Sequence, residues 1–254
     1  MGSLVSITLY ANSPDDAQRA FLAAFARIEE LNRILSDYDP HSELSRACSL
    51  DQPLSRELLT VIEHAQKLAA ETNGAFDITV GPLTRLWREA RRKKQLPPNA
   101  QIADALQRSG YRKLSVGNGR LHCAVPGMQL DAGGIAKGYA ADEALAAIRR
   151  TGISSALVAM SGDIVCGEPP PGKPGWRVRA LHETLTVSNA AVSTSGDEFQ
   201  FVEMDGVRYS HIIDPRTGMA LRNSKPVVIV GKKGIDTDAR ATAASVDPSL
   251  EHRE

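Results

Sequence analysis

The sequence predicts an α+β fold of mixed, largely antiparallel sheets, with helices concentrated in the N-terminal half. Three observations carry this. Long stretches of the first half repeat apolar residues at helical spacing. The second half breaks into short β-branched runs separated by turn dipeptides. Between them, the apolar run Met128 to Leu130 passes through Gly133-Gly134 into an alanine-rich helix.

In order, Met1 to Tyr10 alternates like a first strand, and Ser13-Pro14-Asp15-Asp16 starts a helix, with an N-cap serine, proline at N1 and acids in the first turn. Phe21, Phe25, Ile28, Leu31 and Leu35 mark its apolar face. Asp37 to Ser45 is a polar loop around Tyr38, an aromatic among hydroxyls that suits either a plain surface or stacking on a ring. Ser55 opens a second helix, closed by Asn73-Gly74. Phe76 to Val80 reads as a short strand presenting Asp77 and Thr79 on one side, and Gly81-Pro82 starts a helix with Leu83, Leu86 and Trp87. Its basic tail, Arg88 to Lys94, is expected in solvent. A short helix after Pro97-Pro98-Asn99 and a hairpin turning at Gly117-Asn118-Gly119 complete the first half.

Beyond Thr151-Gly152 the chain turns to strands. These are Ala156 to Met160, the Trp176 strand after a proline-rich loop, Leu185 to Val187, Ala191 to Ser193, and a hairpin at Asp205-Gly206 returning through Tyr209 to Ile213. Asp214 to Gly218 is a tight turn, Val227 to Val230 a last strand and Asp236 to Ser245 a short helix.

Bulk properties bound the function. At 254 residues, 42% hydrophobic and 24% charged, the chain can bury a real core and reads as one domain over 1–254. Thirty basic residues balance thirty acidic ones, so no net field draws nucleic acid or an acidic membrane. No run is long enough for a transmembrane segment, and the first residues lack the pattern of a leader peptide. Cys48, Cys123 and Cys166 are odd in number and wrongly spaced for a zinc site or disulfide framework, and are expected as buried thiols.

The stretch Asp131 to Asp142 organises the rest. A strand, a glycine turn and a helix start bring free N–H groups, the helix dipole and Lys137 to one place, which suits an anion such as phosphate. It is neither a Walker A loop nor G-x-G-x-x-G, and a plain turn with a surface lysine fits it equally well. Asp238 and Thr242, four apart on the last helix, offer two hard oxygens on one face, as Mg²⁺ prefers; a threonine bonded back to a carbonyl is the bland alternative. His211 lies between a strand and a rigid turn, and histidine is the residue type whose unperturbed imidazole suits general-base work near neutrality; a hydrogen-bonded histidine in a hairpin is the bland alternative. Asp163 follows Ser161-Gly162 at a strand end.

Taken together, these pieces resemble the ApbE-type FAD:protein FMN transferases. The resemblance rests on Tyr38 with Ser42 to Ser45, Gly74 to Leu83 with Trp87, Asp131 to Asp142, Ser161-Gly162-Asp163, Thr194-Ser195-Gly196, His211 to Gly218, and Asp238 to Thr242, in this order over nearly the whole chain. It implies an ApbE-like fold and a Mg²⁺-dependent transfer of FMN from FAD to a threonine or serine of an acceptor protein, releasing AMP. By the same resemblance, Asp238, Thr242 and the backbone carbonyl of Ala136 hold Mg²⁺. Lys137 and the amides near Gly134 hold phosphates. Tyr38 packs on the flavin nucleotide, and Asp77, Thr79, Asp163 and Ser195 line the pocket. His211 takes the acceptor's proton, with Lys137 as the second catalytic group.

This chain departs from the family pattern in three places. Ser161 stands where the family has glycine, and Arg240 where it prefers an apolar residue. The family also continues through another helix and strand, so the chain reads as shortened at its C-terminus. Two other readings stay open: an FAD pyrophosphatase with water as acceptor, and an FAD-binding protein without turnover. The resemblance implies the periplasm or cell envelope, with a membrane or periplasmic redox protein as acceptor; the cytoplasm is the alternative.

Overall fold

A computed structural model describes residues 4–50, 52–197, 200–222 and 225–251. Its helices and largely antiparallel sheets match the expected class. The elements are β1 (Val5–Leu9), α1 (Pro14–Leu35), α2 (Glu43–Arg46), α3 (Arg56–Glu71), α4 (Gly81–Lys93), α5 (Asn99–Gln107), β2 (Leu114–Gly117), β3 (Arg120–Cys123) and α6 (Ala136–Arg150). There follow β4 (Ala156–Met160), β5 (Asp163–Cys166), β6 (Trp176–Ala180), β7 (Glu183–Val187), β8 (Ala190–Ser195), β9 (Phe201–Met204), β10 (Val207–Ile213), β11 (Ala220–Arg222), β12 (Val227–Gly231) and α7 (Gly234–Val246). The chain packs as two units, each assembled from three separate stretches.

The first unit comprises Met1–Arg33, Gly133–Ser195 and Val228–Ala241. It holds a five-stranded sheet in the order β1-β4-β5-β8-β12. The pairings β1/β4, β4/β5 and β5/β8 are antiparallel, and their register sets Asp163 opposite both Met160 and Ser193. β4 alternates buried and half-buried residues, as a strand covered on one face should, and α6 packs on β4 and β5. The β6/β7 hairpin lays Trp176, Val178 and Ala180 against Cys166 and Val192. Ser161 takes φ 56°, a left-handed conformation that favours glycine, which accounts for the residue the family pattern has there.

The second unit comprises Ile34–Ala132, Gly196–Val227 and Thr242–Glu254. Its core joins Leu83, Trp87 and Ala90 of α4 and Ile102 and Ala105 of α5 to the sheet β11-β10-β9 through Met204, Tyr209 and Ile213. The turn after β10 closes with Gly218 N–H donating to the Asp214 carbonyl at 2.8 Å, and buried Trp87 donates its indole N–H to the Gly218 carbonyl at 2.8 Å. Gly218 has φ 73°, and a side chain there would press on Ile102 and Leu83, so glycine is required twice over.

Several expectations need correction. Phe76 to Val80 is not a strand: the Asp77 carboxylate captures the Thr79 N–H and hydroxyl, and this local bonding displaces a sheet ladder. Only Val80 bridges, in parallel, to Gln129, so Met128 to Leu130 is not a full strand either. The buried face of α1 runs through Ala20, Ala24, Ile28, Leu31 and Leu35; of the expected residues Ile28, Leu31 and Leu35 face inward, Phe21 is half-buried and Phe25 is 47% exposed. Asp37 to Ser45 includes α2, capped by the Ser42 hydroxyl accepting from Ser45 N–H. Cys48 and Cys123 are not thiols but a disulfide, with Cα atoms 5.7 Å apart. Counting cysteines could not reveal a lone bridge across 75 residues; only Cys166 is the buried thiol expected.

Candidate active site

In the first unit, the glycine turn and α6 bring Lys137 between two aspartates. Lys137 Nζ lies 3.0 Å from Asp163 Oδ2 and 3.2 and 3.3 Å from the Asp238 carboxylate oxygens. It also donates to the Gly133 carbonyl at 3.1 Å. Each partner is fixed by its own element. Asp163 opens β5 directly after the Ser161-Gly162 turn, and Asp238 sits in the second turn of α7. Asp163 and Asp238 are only 3% and 4% exposed, so water screens this cluster weakly.

The electrostatics follow. Burial alone pulls the Lys137 ammonium down, but Asp238 and Asp163 outweigh it and hold the lysine above its ordinary range. Burial, reinforced by the Asp163 charge, pushes the Asp238 carboxyl up to about 6, against the pull of Lys137 and of the Gly138 N–H. Near neutrality one ammonium faces two carboxylates, leaving one negative charge in surplus. The sequence leaves an anion cradle and a plain turn equally open here, and the Gly138 N–H of the first turn of α6 already donates to Asp238 Oδ2 at 3.0 Å. The surplus charge of this centre opposes a lone phosphate rather than cradling it.

The other expected residues fall as follows. Gly134 lies in the turn before α6, Ala136 is its first residue, and Ser195 ends β8. Thr242 is one turn beyond Asp238 on α7, half-buried. In the second unit, buried Asp77 accepts from Thr79 N–H and hydroxyl and, through its other oxygen, from Tyr111 N–H at 2.7 Å. The Thr79 hydroxyl accepts from Gly110 N–H at 2.7 Å. Both residues thus brace the Gly110-Tyr111 turn, and burial raises the Asp77 carboxyl despite these bonds. His211 lies within β10 rather than after it. Its Nδ1 is 3.1 Å from the Gln200 carbonyl, which can only accept, so Nδ1 carries a proton and the neutral ring keeps its lone pair on Nε2.

Tyr38, 67% exposed, packs on the Arg88 guanidinium, 4.2 Å from the ring centre. Arg88 is not part of a solvated tail. It pairs with Asp37 at 2.5 Å and Asp131 at 3.2 Å. Burial and the neighbouring Asp131 raise the Asp37 carboxyl, with Arg88 opposing. The signal in the sequence was Asp37 beside Tyr38 and Asp131 opening the glycine stretch, two acids that need a cation. Among the described residues, no three His, Cys, Asp or Glu side chains gather where together they could hold a metal ion.

The family model described as the ApbE family matches residues 1–253. A protein of Vibrio cholerae named FAD:protein FMN transferase is 34% identical over 237 residues, spanning 86% of this chain and 70% of that protein. The solved structure of the flavin transferase ApbE from Vibrio cholerae superposes with a TM-score of 0.86 at 30% identity, over 97% of this chain and 84% of that one. That of the ApbE protein from Thermotoga maritima gives 0.87 at 28% identity, over 96% and 84%.

Proposed function

This chain belongs to the ApbE family, and on that premise we propose that the enzyme transfers FMN from FAD to a threonine or serine hydroxyl of an acceptor protein, releasing AMP, with Mg²⁺ as cofactor. The observation that carries the proposal is the cluster of half-buried Lys137 with buried Asp163 and Asp238, and its surplus negative charge. The oxygens around Lys137, the carboxylates of Asp163 and Asp238 and the Gly133 carbonyl, are of the hard kind that Mg²⁺ prefers, and the Thr242 hydroxyl one turn beyond Asp238 is of the same kind. Asp238, Thr242 and the Ala136 carbonyl would hold the ion, which when bound neutralises charge on the pyrophosphate.

The chain's own groups do the rest. Lys137 contributes a second positive charge, kept protonated by its two carboxylates. His211 Nε2 takes the proton from the acceptor hydroxyl as its oxygen bonds to the FMN phosphorus and the bond to the AMP phosphate breaks. Tyr38 on its Arg88 support offers a face for an aromatic ring. The family resemblance assigns flavin contacts to Gly134, Asp163 and Ser195 in the first unit; of Asp77 and Thr79, to which it assigns the same, the buried bonding makes a brace of the Gly110-Tyr111 turn. We place the enzyme in the periplasm or cell envelope, acting on a membrane or periplasmic redox protein. The Cys48–Cys123 disulfide supports an oxidising compartment. Among the described residues no helix is long and apolar enough to cross a membrane.

The test is AMP release from FAD, with and without Mg²⁺ and an acceptor bearing a flavinylation threonine, read with the acceptor's mass. Mg²⁺-dependent AMP with an FMN-sized mass increase is the expected result. AMP without labelling would replace transfer by hydrolysis. Retained FAD with no AMP would leave a binding protein.

A further inference from the structure

The motif Asp131 to Asp142 ends on an acid that neither the metal nor the pocket uses. Asp142 lies on α6, one turn beyond Gly138 and on the same face. Its Oδ1 accepts from Gly234 N–H at 2.8 Å and its Oδ2 from Ile235 N–H at 3.0 Å. Those are the first two N–H groups of α7, which have no partner inside their own helix. The residue before them is Lys233, which cannot act as an acceptor cap. Asp142 therefore caps α7 from another helix.

The arrangement is reciprocal. Asp238 on α7 accepts from Gly138 N–H in the first turn of α6 at 3.0 Å, so each helix supplies the aspartate that caps the other. Where they cross, Gly138 and Gly234 meet backbone to backbone, and a Cβ on either would strike the other's carbonyl. A contact between bare backbones allows this close approach but has no side-chain knob to fix how far one helix slides along the other. The two aspartates fix it. Thr237, bonded to Ser193 at 2.8 Å, ties α7 to β8 independently.

We propose that Asp142 is a positioning residue, which by pinning the first turn of α7 to α6 sets Asp238 in register with Lys137 and Gly138. Its geometry stands alone; its consequence for the cation rests on the transferase reading.

The test compares Asp142→Asn and Asp142→Ala with the unsubstituted protein, using amide hydrogen exchange by NMR and titration with MnCl₂. In Asp142→Ala, exchange of the Gly138 amide accelerates about 10-fold or more, the scale of one lost charge-assisted hydrogen bond. Amides of β4 keep their rates. Asp142→Asn, whose amide oxygen keeps one of the two bonds, shows a smaller effect, and Mn²⁺ dissociation constants rise in the same order. Gly138 exchange unchanged in both variants, or an equal acceleration across β4, overturns the proposal. If Asp142→Ala does not fold, Asp142→Asn decides by the same comparison. Failure of the unsubstituted protein to bind Mn²⁺ would sink the metal assignment, while Gly138 exchange would still decide the role of Asp142.

Discussion

Replacing Lys137 with methionine keeps most of the side-chain volume and removes the positive charge that pairs with both Asp163 and Asp238 in the first unit. Two carboxylates, 3% and 4% exposed, then face each other without their cation. Breaking a buried ion pair by deleting one partner costs about 3–5 kcal/mol, and that is the loss expected at pH 7.5. The pH dependence is what identifies the cause. With Lys137 present, Asp238 titrates at about 6 against an ordinary 3.8, so the folded state holds its proton more tightly than the unfolded one. Protonation thus stabilises: this contribution is full below pH 3.8, is lost as pH rises through about 6, and amounts to about 3 kcal/mol at most. Without the ammonium the Asp238 carboxyl rises further, so the variant recovers stability as pH falls from 7.5 towards 5 and takes up a proton in place of the lysine. Urea unfolding at pH 5, 6 and 7.5, with and without MgCl₂, reads this directly. A loss of the same size at every pH, or none at 7.5, would refute the charge argument. MgCl₂ restoring no stability to the variant would separate the cluster from cation binding.

Three further outcomes follow from the same geometry. Asp238→Ala should abolish Mg²⁺-dependent AMP release while circular dichroism stays that of the parent; unchanged turnover would remove Asp238 from the site. His211→Ala should retain FAD but slow labelling of the acceptor by roughly 10²–10⁴-fold, the usual worth of a general base; loss of FAD binding would make His211 a pocket residue instead. Removing the Cys48–Cys123 bridge with a reductant, or by Cys48→Ser with Cys123→Ser, frees a 75-residue loop and should lower stability towards urea by about 4 kcal/mol, the chain-entropy value for that length. A midpoint that does not move would show that the bridge adds nothing to the fold.

Where the sequence was legible, the controlling interactions were local. The Ser13 and Ser55 caps, the Asn73-Gly74 helix end, the Asp205-Gly206 hairpin and the Asp214 to Gly218 turn lie where turn and cap chemistry put them. What misled was also local in form but tertiary in cause. Phe76 to Val80 has the composition of a strand, yet Asp77 serves a turn more than thirty residues away. Phe25 keeps helical period with its neighbours, but the buried stripe passes through Ala20, Ala24 and Ile28 and leaves the ring beside it 47% exposed. Arg88 sits in a basic run and is claimed by Asp37 and Asp131. No periodicity within a segment reports such partners.

The candidate site divides along the same line. The motif Asp131 to Asp142 named Lys137 and the helix start, and the four-residue spacing named Asp238 with Thr242, but neither motif contains the other. Read separately, the first attracts an anion and the second a cation. Their meeting changes the sign of the first: Asp238 takes the Gly138 N–H that a phosphate would use, and with Asp163 it outnumbers Lys137. A polyphosphate approaching this centre alone meets like charge in a poorly screened environment, so the positive field of the helix start becomes available to it only when a divalent cation has compensated the aspartates. The dependence on Mg²⁺ proposed for this enzyme is then a consequence of where α7 crosses α6, and Gly138, Gly234 and Asp142 bear on the chemistry because they fix that crossing.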